Sequence, residues 1–166
     1  GHLIANAPHV PVHLGSMSES VRSVISNKKE AIMPGDVFAL NAPYNGGTHL
    51  PDVTVITPVF DSSGSEILFY LGSRGHQADI GGITPGSMPP VSRSIVEEGV
   101  VIDNFKLVKC GSFQEQEFRS LLGRGKYPAR NPDRNIADIK AQIAANETGV
   151  SEIGRMIDHF GLATVQ

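Results

Sequence analysis

Val53 to Phe60 is rich in β-branched residues, Asp61-Ser62-Ser63-Gly64 supplies a turn, and Ile67 to Leu71 reads as a second strand. Together they specify a β-hairpin, and pairing its strands gathers whatever stands at its outer ends. Those ends carry two copies of one short polar pattern, His49-Leu50-Pro51-Asp52 and His76-Gln77-Ala78-Asp79. Each copy supplies an imidazole and a carboxylate three positions apart. Glycines flank both: Gly46-Gly47 precede the first, and Gly72, Gly75 and Gly81-Gly82 surround the second. Imidazole and carboxylate are first-choice ligands for zinc or manganese. Glycine lets the backbone approach an ion or substrate closely, which makes Gly46 and Gly47 candidate substrate contacts. Strand pairing also brings Ser73-Arg74-Gly75-His76 beside His49 and Asp52.

The segments before the hairpin are read by their punctuation. Gly1 to Ala5 resembles the second strand of a hairpin whose first strand is missing, as in a fragment. From Leu3 to His13 the chain is apolar but interrupted by Pro8 and Pro11, which predicts extended, edge-like backbone. His9 and His13 would share one face of a helix, but the prolines argue against a helix there. Ser16-Met17-Ser18-Glu19 matches a capping box, Val21, Val24 and Ile25 follow at helical spacing, and Lys28-Lys29 suit a carboxyl end. A helix from Met17 to Lys29 is expected. Glu19 is then a cap or a catalytic base, roles that coexist if the helix start faces the site. Pro34-Gly35 marks a turn, and Asp36 to Leu40 a short strand leading into Asn41 to His49.

Beyond the hairpin, Ile80 to Pro90 has too little periodicity for regular structure and is expected to be a binding loop. Gly99 to Val108 reads as a strand and Phe113 to Leu122 as a short amphipathic helix. The tail from Asn131 to Phe160 carries the clearest helical signal, with Pro132 placed as a first helical residue. Ile136, Ile139, Ile143, Asn146, Val150, Ile153, Ile157 and Phe160 recur at steps of three and four. That is a seam for packing, either within the domain or against another subunit. Gly149 and Gly154 weaken it by about 1 kcal/mol each, and Gly161 can end it.

These elements predict an α+β fold: a mixed β-sheet and hairpin core, a Gly/Pro-rich site region and a long C-terminal helix. At 166 residues one domain is expected, β-rich over 1–130 and helical over 131–161. A net charge of −3 with no basic run makes nucleic acid an unexpected partner. No apolar stretch approaches the roughly 20 residues of a membrane span, and no secretory signal is recognisable. The single Cys110 excludes an internal disulfide framework and fits a reducing compartment. A soluble, cytoplasmic protein is the expectation.

Several long stretches, HVPVHLGSM (9–17), GGTHLPDVTVITPVF (46–60), SRGHQADIGGITPGSMPP (73–90), EEGVVIDNFKLV (97–108) and RNIADIKAQIAANETG (134–149), resemble the hydantoinase B/oxoprolinase family. Within it they are most similar to the B-type half of ATP-dependent 5-oxoprolinases. The resemblance covers nearly the whole chain. It implies a partner half, hydantoinase A, that uses ATP to phosphorylate the oxygen of a small cyclic amide, and a B half that completes ring opening. In the oxoprolinase branch, 5-oxo-L-proline is opened to L-glutamate. Related members open hydantoins or lactams, or carboxylate small ketones.

The family's divalent-metal pattern falls on His49, Asp52 and His76, and an acidic ligand comes from a segment that would precede Gly1. Asp79 is then a fourth ligand or a carboxylate orienting His76. Ala42 departs from the aspartate that many members carry in an NDPY motif. With zinc or manganese held there, Glu19, His9 or His13 is a candidate proton acceptor. Arg74 is a candidate bidentate contact to a substrate carboxylate or phosphate. ATP would be used by the partner half and not bound here, and the 136–160 helix would mediate assembly. The rival readings are another hydantoinase B-type activity, such as opening N-methylhydantoin, or a non-catalytic scaffold or metal-binding module for the ATP-using half.

Overall fold

The computed structural model describes residues 1–7, 10–27 and 31–166. Strand β1 (Val37–Leu40) shows most directly how the layers arise, because all four residues are buried and alternate between two cores. Val37 and Ala39 join one apolar cluster, and Phe38 joins a second one with Leu40. Successive side chains of a strand point to opposite faces, so a sheet apolar on both faces must be covered on both.

β2 (Asp52–Phe60) and β3 (Ile67–His76) form the expected hairpin, and β4 (Phe105–Lys109) and β5 (Ser112–Phe113) complete a five-stranded sheet in the order β3-β2-β1-β4-β5. Every pairing is antiparallel. The α+β class therefore holds with an antiparallel sheet. Pro58 is tolerated in β2 because β1 pairs only with the stretch around Thr54 to Ile56.

Helix α1 (Pro11–Ser26) covers one face, packing Val21 and Val24 against Phe38, Leu40 and Ile56. This corrects the expected start at Met17. Pro11 occupies the first helical turn, where its missing amide costs nothing. His13 is accordingly helical, and Ser16 lies inside the helix with its hydroxyl donated back to Val12 O at 2.8 Å rather than capping it. Lys28 and Lys29, Pro8 and His9 lie outside the described residues. Residues 1–7 form no strand.

The other face is covered by α3 (Glu115–Leu122) and α4 (Pro132–Phe160), which follow a single turn, α2 (Ile95–Glu98), and precede a short α5 (Leu162–Val165). Phe118, Leu122, Ile136 and Ile139 meet Val53, Val55 and Leu107 in the larger core. The predicted strand from Gly99 shortens to β4 because the Asn41 side chain takes over backbone groups at 100–102. Its amide donates to Val100 O at 3.0 Å and its oxygen accepts from Ile102 N at 2.6 Å.

The seam of α4 divides in two. Its first half is pinned to the sheet, with Asn146 buried and donating to Val55 O and to Thr57 Oγ1. Toward the carboxyl end the seam's Phe160 is exposed, as is Met156 beside it on the helix. No helix among the described residues is long and apolar enough to cross a membrane.

Candidate metal centre

Asp52 opens β2 and His76 closes β3, and the register sets them opposite one another. Alternation sends both toward the α1 face, the side on which Thr54 meets Arg74. His49 arrives from the preceding loop, which Asn41 fixes by donating to Leu50 O at 2.8 Å. One ligand atom each from His49, Asp52 and His76 lies within 4.8 Å of the others. The rings of His49 and His76 meet edge-on with centroids 5.2 Å apart.

Asp52 is only 2% exposed, and burying a carboxylate is costly unless charge or hydrogen bonds compensate. Its Oδ2 accepts from Thr48 Oγ1 at 2.8 Å, and His49 Nδ1 lies 2.7 Å away. That short approach is not aligned as a hydrogen bond, and Nδ1 is a buried nitrogen without a hydrogen-bond partner. A buried ring nitrogen left without a hydrogen-bond partner beside a buried carboxylate suits a cation shared by the two. The donor set, two imidazoles and one carboxylate, is one that zinc and manganese accept. The residues present therefore fit a divalent metal.

A third imidazole joins the cluster. His13, on the first turn of α1, puts Nδ1 3.4 Å from Asp52 Oδ2, with its ring centroid 6.4 Å from that of His49.

Other candidates stand elsewhere. Asp79 lies outside the cluster: its carboxylate accepts from Gly81 N, Gly86 N and Arg130 N and pairs with Arg130 Nη1 at 2.7 Å. Burial raises its pKa, but these hydrogen bonds outweigh burial and hold it below the usual value. Glu19 pairs with Arg22 on the wall of a separate polar cavity lined also by Tyr44, Asn45 and Asp103. Gly46 and Gly47 serve close packing. Gly46 has φ +89°, and a Cβ there would collide with Ser20 N; at Gly47 it would collide with Asn41 O. Arg74 is half-buried under α1 with its donors committed to protein acceptors. His9 lies outside the described residues. The sequence reading passes over Thr48 and Asn41, although Thr48 sits four positions before Asp52, within reach of a side-chain contact across the turn.

The sequence matches the family described as Hydantoinase B/oxoprolinase over residues 1–166. The chain belongs to that family. It is 51% identical to 5-oxoprolinase 1 of Arabidopsis thaliana, covering 100% of this chain and 14% of that protein. It is 50% identical to 5-oxoprolinase of Saccharomyces cerevisiae over 99% of this chain and 13% of the relative. The chain thus spans about one-seventh of the length of these relatives. The crystal structure of ATP-dependent caprolactamase from Pseudomonas jessenii matches with a TM-score of 0.80 at 30% identity, over 93% of this chain and 26% of that one.

Proposed function

We propose that this hydantoinase B/oxoprolinase segment carries the metal centre of the hydrolytic half of an ATP-dependent cyclic amidase, one that opens 5-oxo-L-proline to L-glutamate. The observation that carries the reading is the convergence of His49, Asp52 and His76 within 4.8 Å at one end of the hairpin. Relatives named 5-oxoprolinase at about half identity support the substrate.

An unstrained amide resists attack because its nitrogen donates into the carbonyl. Phosphorylation of the amide oxygen by an ATP-using, hydantoinase A-type half removes that resonance and provides a leaving group. The hydrolytic half, of which this segment would be part, must then hold water, accept a proton and offset developing negative charge. A divalent ion, zinc or manganese, supplies Lewis acidity for the last of these. His49, Asp52 and His76 are the residues that would hold it. Thr48 keeps the Asp52 carboxylate oriented through its 2.8 Å hydrogen bond. His13, beside Asp52 and carried on a different element, is the imidazole placed to accept the proton. The exposed outer half of α4, with Met156 and Phe160, is the proposed contact with the partner half.

His49→Ala in the intact protein should abolish glutamate formation while leaving ATP hydrolysis by the partner half largely in place. Glutamate formation retained by that variant would defeat the reading.

A further inference from the structure

The site is assembled from four separate places: α1 brings His13, the loop after Gly46 brings His49, β2 brings Asp52 and β3 brings His76. Strand pairing accounts for the last two. It does not account for where the helix and the loop sit relative to the strands, and one side chain carried on β3 reaches the other three.

Arg74 stands two residues before His76 on β3. Its Nε donates to Thr54 Oγ1 at 2.7 Å, and Thr54 stands two residues after Asp52 on β2. Nη1 donates to His13 O at 3.2 Å and to Ser16 Oγ at 2.5 Å. Nη2 donates to Ser20 Oγ at 2.9 Å and to Gly46 O at 3.5 Å. Ser20 reinforces the last contact by donating to the same Gly46 carbonyl at 2.6 Å. A guanidinium has five N–H donors in a rigid planar fork, and these five contacts engage all of them. No donor remains for a bidentate grip on a substrate. Burial disfavours the guanidinium charge, and the Asp52 carboxylate counteracts that.

We propose that Arg74 is a positioning residue: it fixes the His13 end of α1 and the Gly46 loop leading to His49 against the strand ends that bear Asp52 and His76. This role rests on the metal-centre reading, since it concerns the same four residues, but it concerns their placement and not their chemistry. Lysine at this position would keep the charge and lose the fork, because an ammonium is a point donor that cannot span acceptors on α1, the Gly46 loop and β2 together. Methionine or alanine would lose both.

The test compares intact wild-type protein with Arg74→Lys and Arg74→Ala, using Co2+ as a spectroscopic probe of the His/Asp site and a crystal structure of Arg74→Lys. Arg74→Lys should remain folded, bind Co2+ about 10- to 100-fold more weakly, as loss of groups that orient ligands typically does, and show altered visible absorption bands. Its structure should show the His13 Nδ1 to Asp52 Oδ2 separation opened from 3.4 Å. If Arg74→Lys and Arg74→Ala both fold and keep wild-type Co2+ affinity and spectrum, the proposal is overturned. If folded wild-type protein binds no Co2+, the metal-centre reading fails by itself, and the crystal structure still decides this proposal: an unchanged separation refutes it and an opened one upholds it.

Discussion

Asp52 and His76 are cross-strand partners, the first residue of β2 facing the last residue of β3. Directly opposed residues of an antiparallel pair hold their Cβ atoms about 5 Å apart, which suits two ligands of one ion. The hairpin register is therefore part of the site. A one-residue slip would send one of the pair to the other face of the sheet.

Thr48 is the side chain that orients Asp52, through a hydrogen bond of 2.8 Å to a carboxylate oxygen that is almost fully buried. Thr48→Val keeps the shape and removes the donor. Metal affinity, measured by competition with a chromophoric chelator, should fall about 10- to 100-fold, with thermal stability changed much less than by loss of a core residue. Thr48→Ser should restore most of the affinity.

Asp36 links the turn before β1 to β4. Its carboxylate accepts from Met33 N and Cys110 N and pairs with Lys106 at 2.8 Å. Burial raises its pKa, and these partners together more than reverse that, leaving it below the ordinary value of 3.8. A carboxyl whose folded pKa is depressed adds stability that is complete above its unfolded pKa and is lost as pH falls through the folded one. Unfolding free energy measured from about pH 5 downward should decline below about pH 4. Asp36→Asn should lower stability at about pH 6 and flatten that decline.

The two halves of α4 should respond differently to truncation. Ile139 is fully buried in the larger core, so Ile139→Ala should cost about 2–5 kcal/mol in denaturant melts. Met156 is 47% exposed, and Met156→Ala should change the stability of the chain by less than about 0.5 kcal/mol. If the outer part of α4 makes the proposed contact with an ATP-using half, Ile153→Asp in the intact protein should weaken that association in co-purification while leaving metal content unchanged.

The hairpin, the long helix and the imidazole–carboxylate pattern at 49–52 are legible in the sequence because each rests on local rules: β-branched runs around a turn, a repeat at steps of three and four, and residue type. The second pattern looks equivalent to the first, yet only His76 joins the cluster. The chain leaves the sheet at Gln77, whose amide donates to Pro51 O at 2.7 Å.

Asp79 turns away toward the 81–86 loop and Arg130, a partner 51 residues distant that no local rule reveals. Arg74 reads from its charge as a substrate contact; its acceptors lie on α1, the Gly46 loop and β2, and only the tertiary fold brings them together. Pro11 reads as a helix breaker and acts as a helix opener, since proline in the first turn carries no penalty. His13, already a candidate from its residue type, is thereby carried on a helix rather than on an extended edge.

The central claim is that His49, Asp52 and His76 hold a divalent ion that the hydrolytic half requires. The most direct measurement is metal content by mass spectrometry on the intact purified protein, wild type against His49→Ala and His76→Ala. Active wild-type protein should carry about one zinc or manganese per chain, lost in both variants together with ring opening. Fully active wild-type protein with no bound metal would contradict the claim, and the three side chains would then have to act directly as acid, base or binding groups.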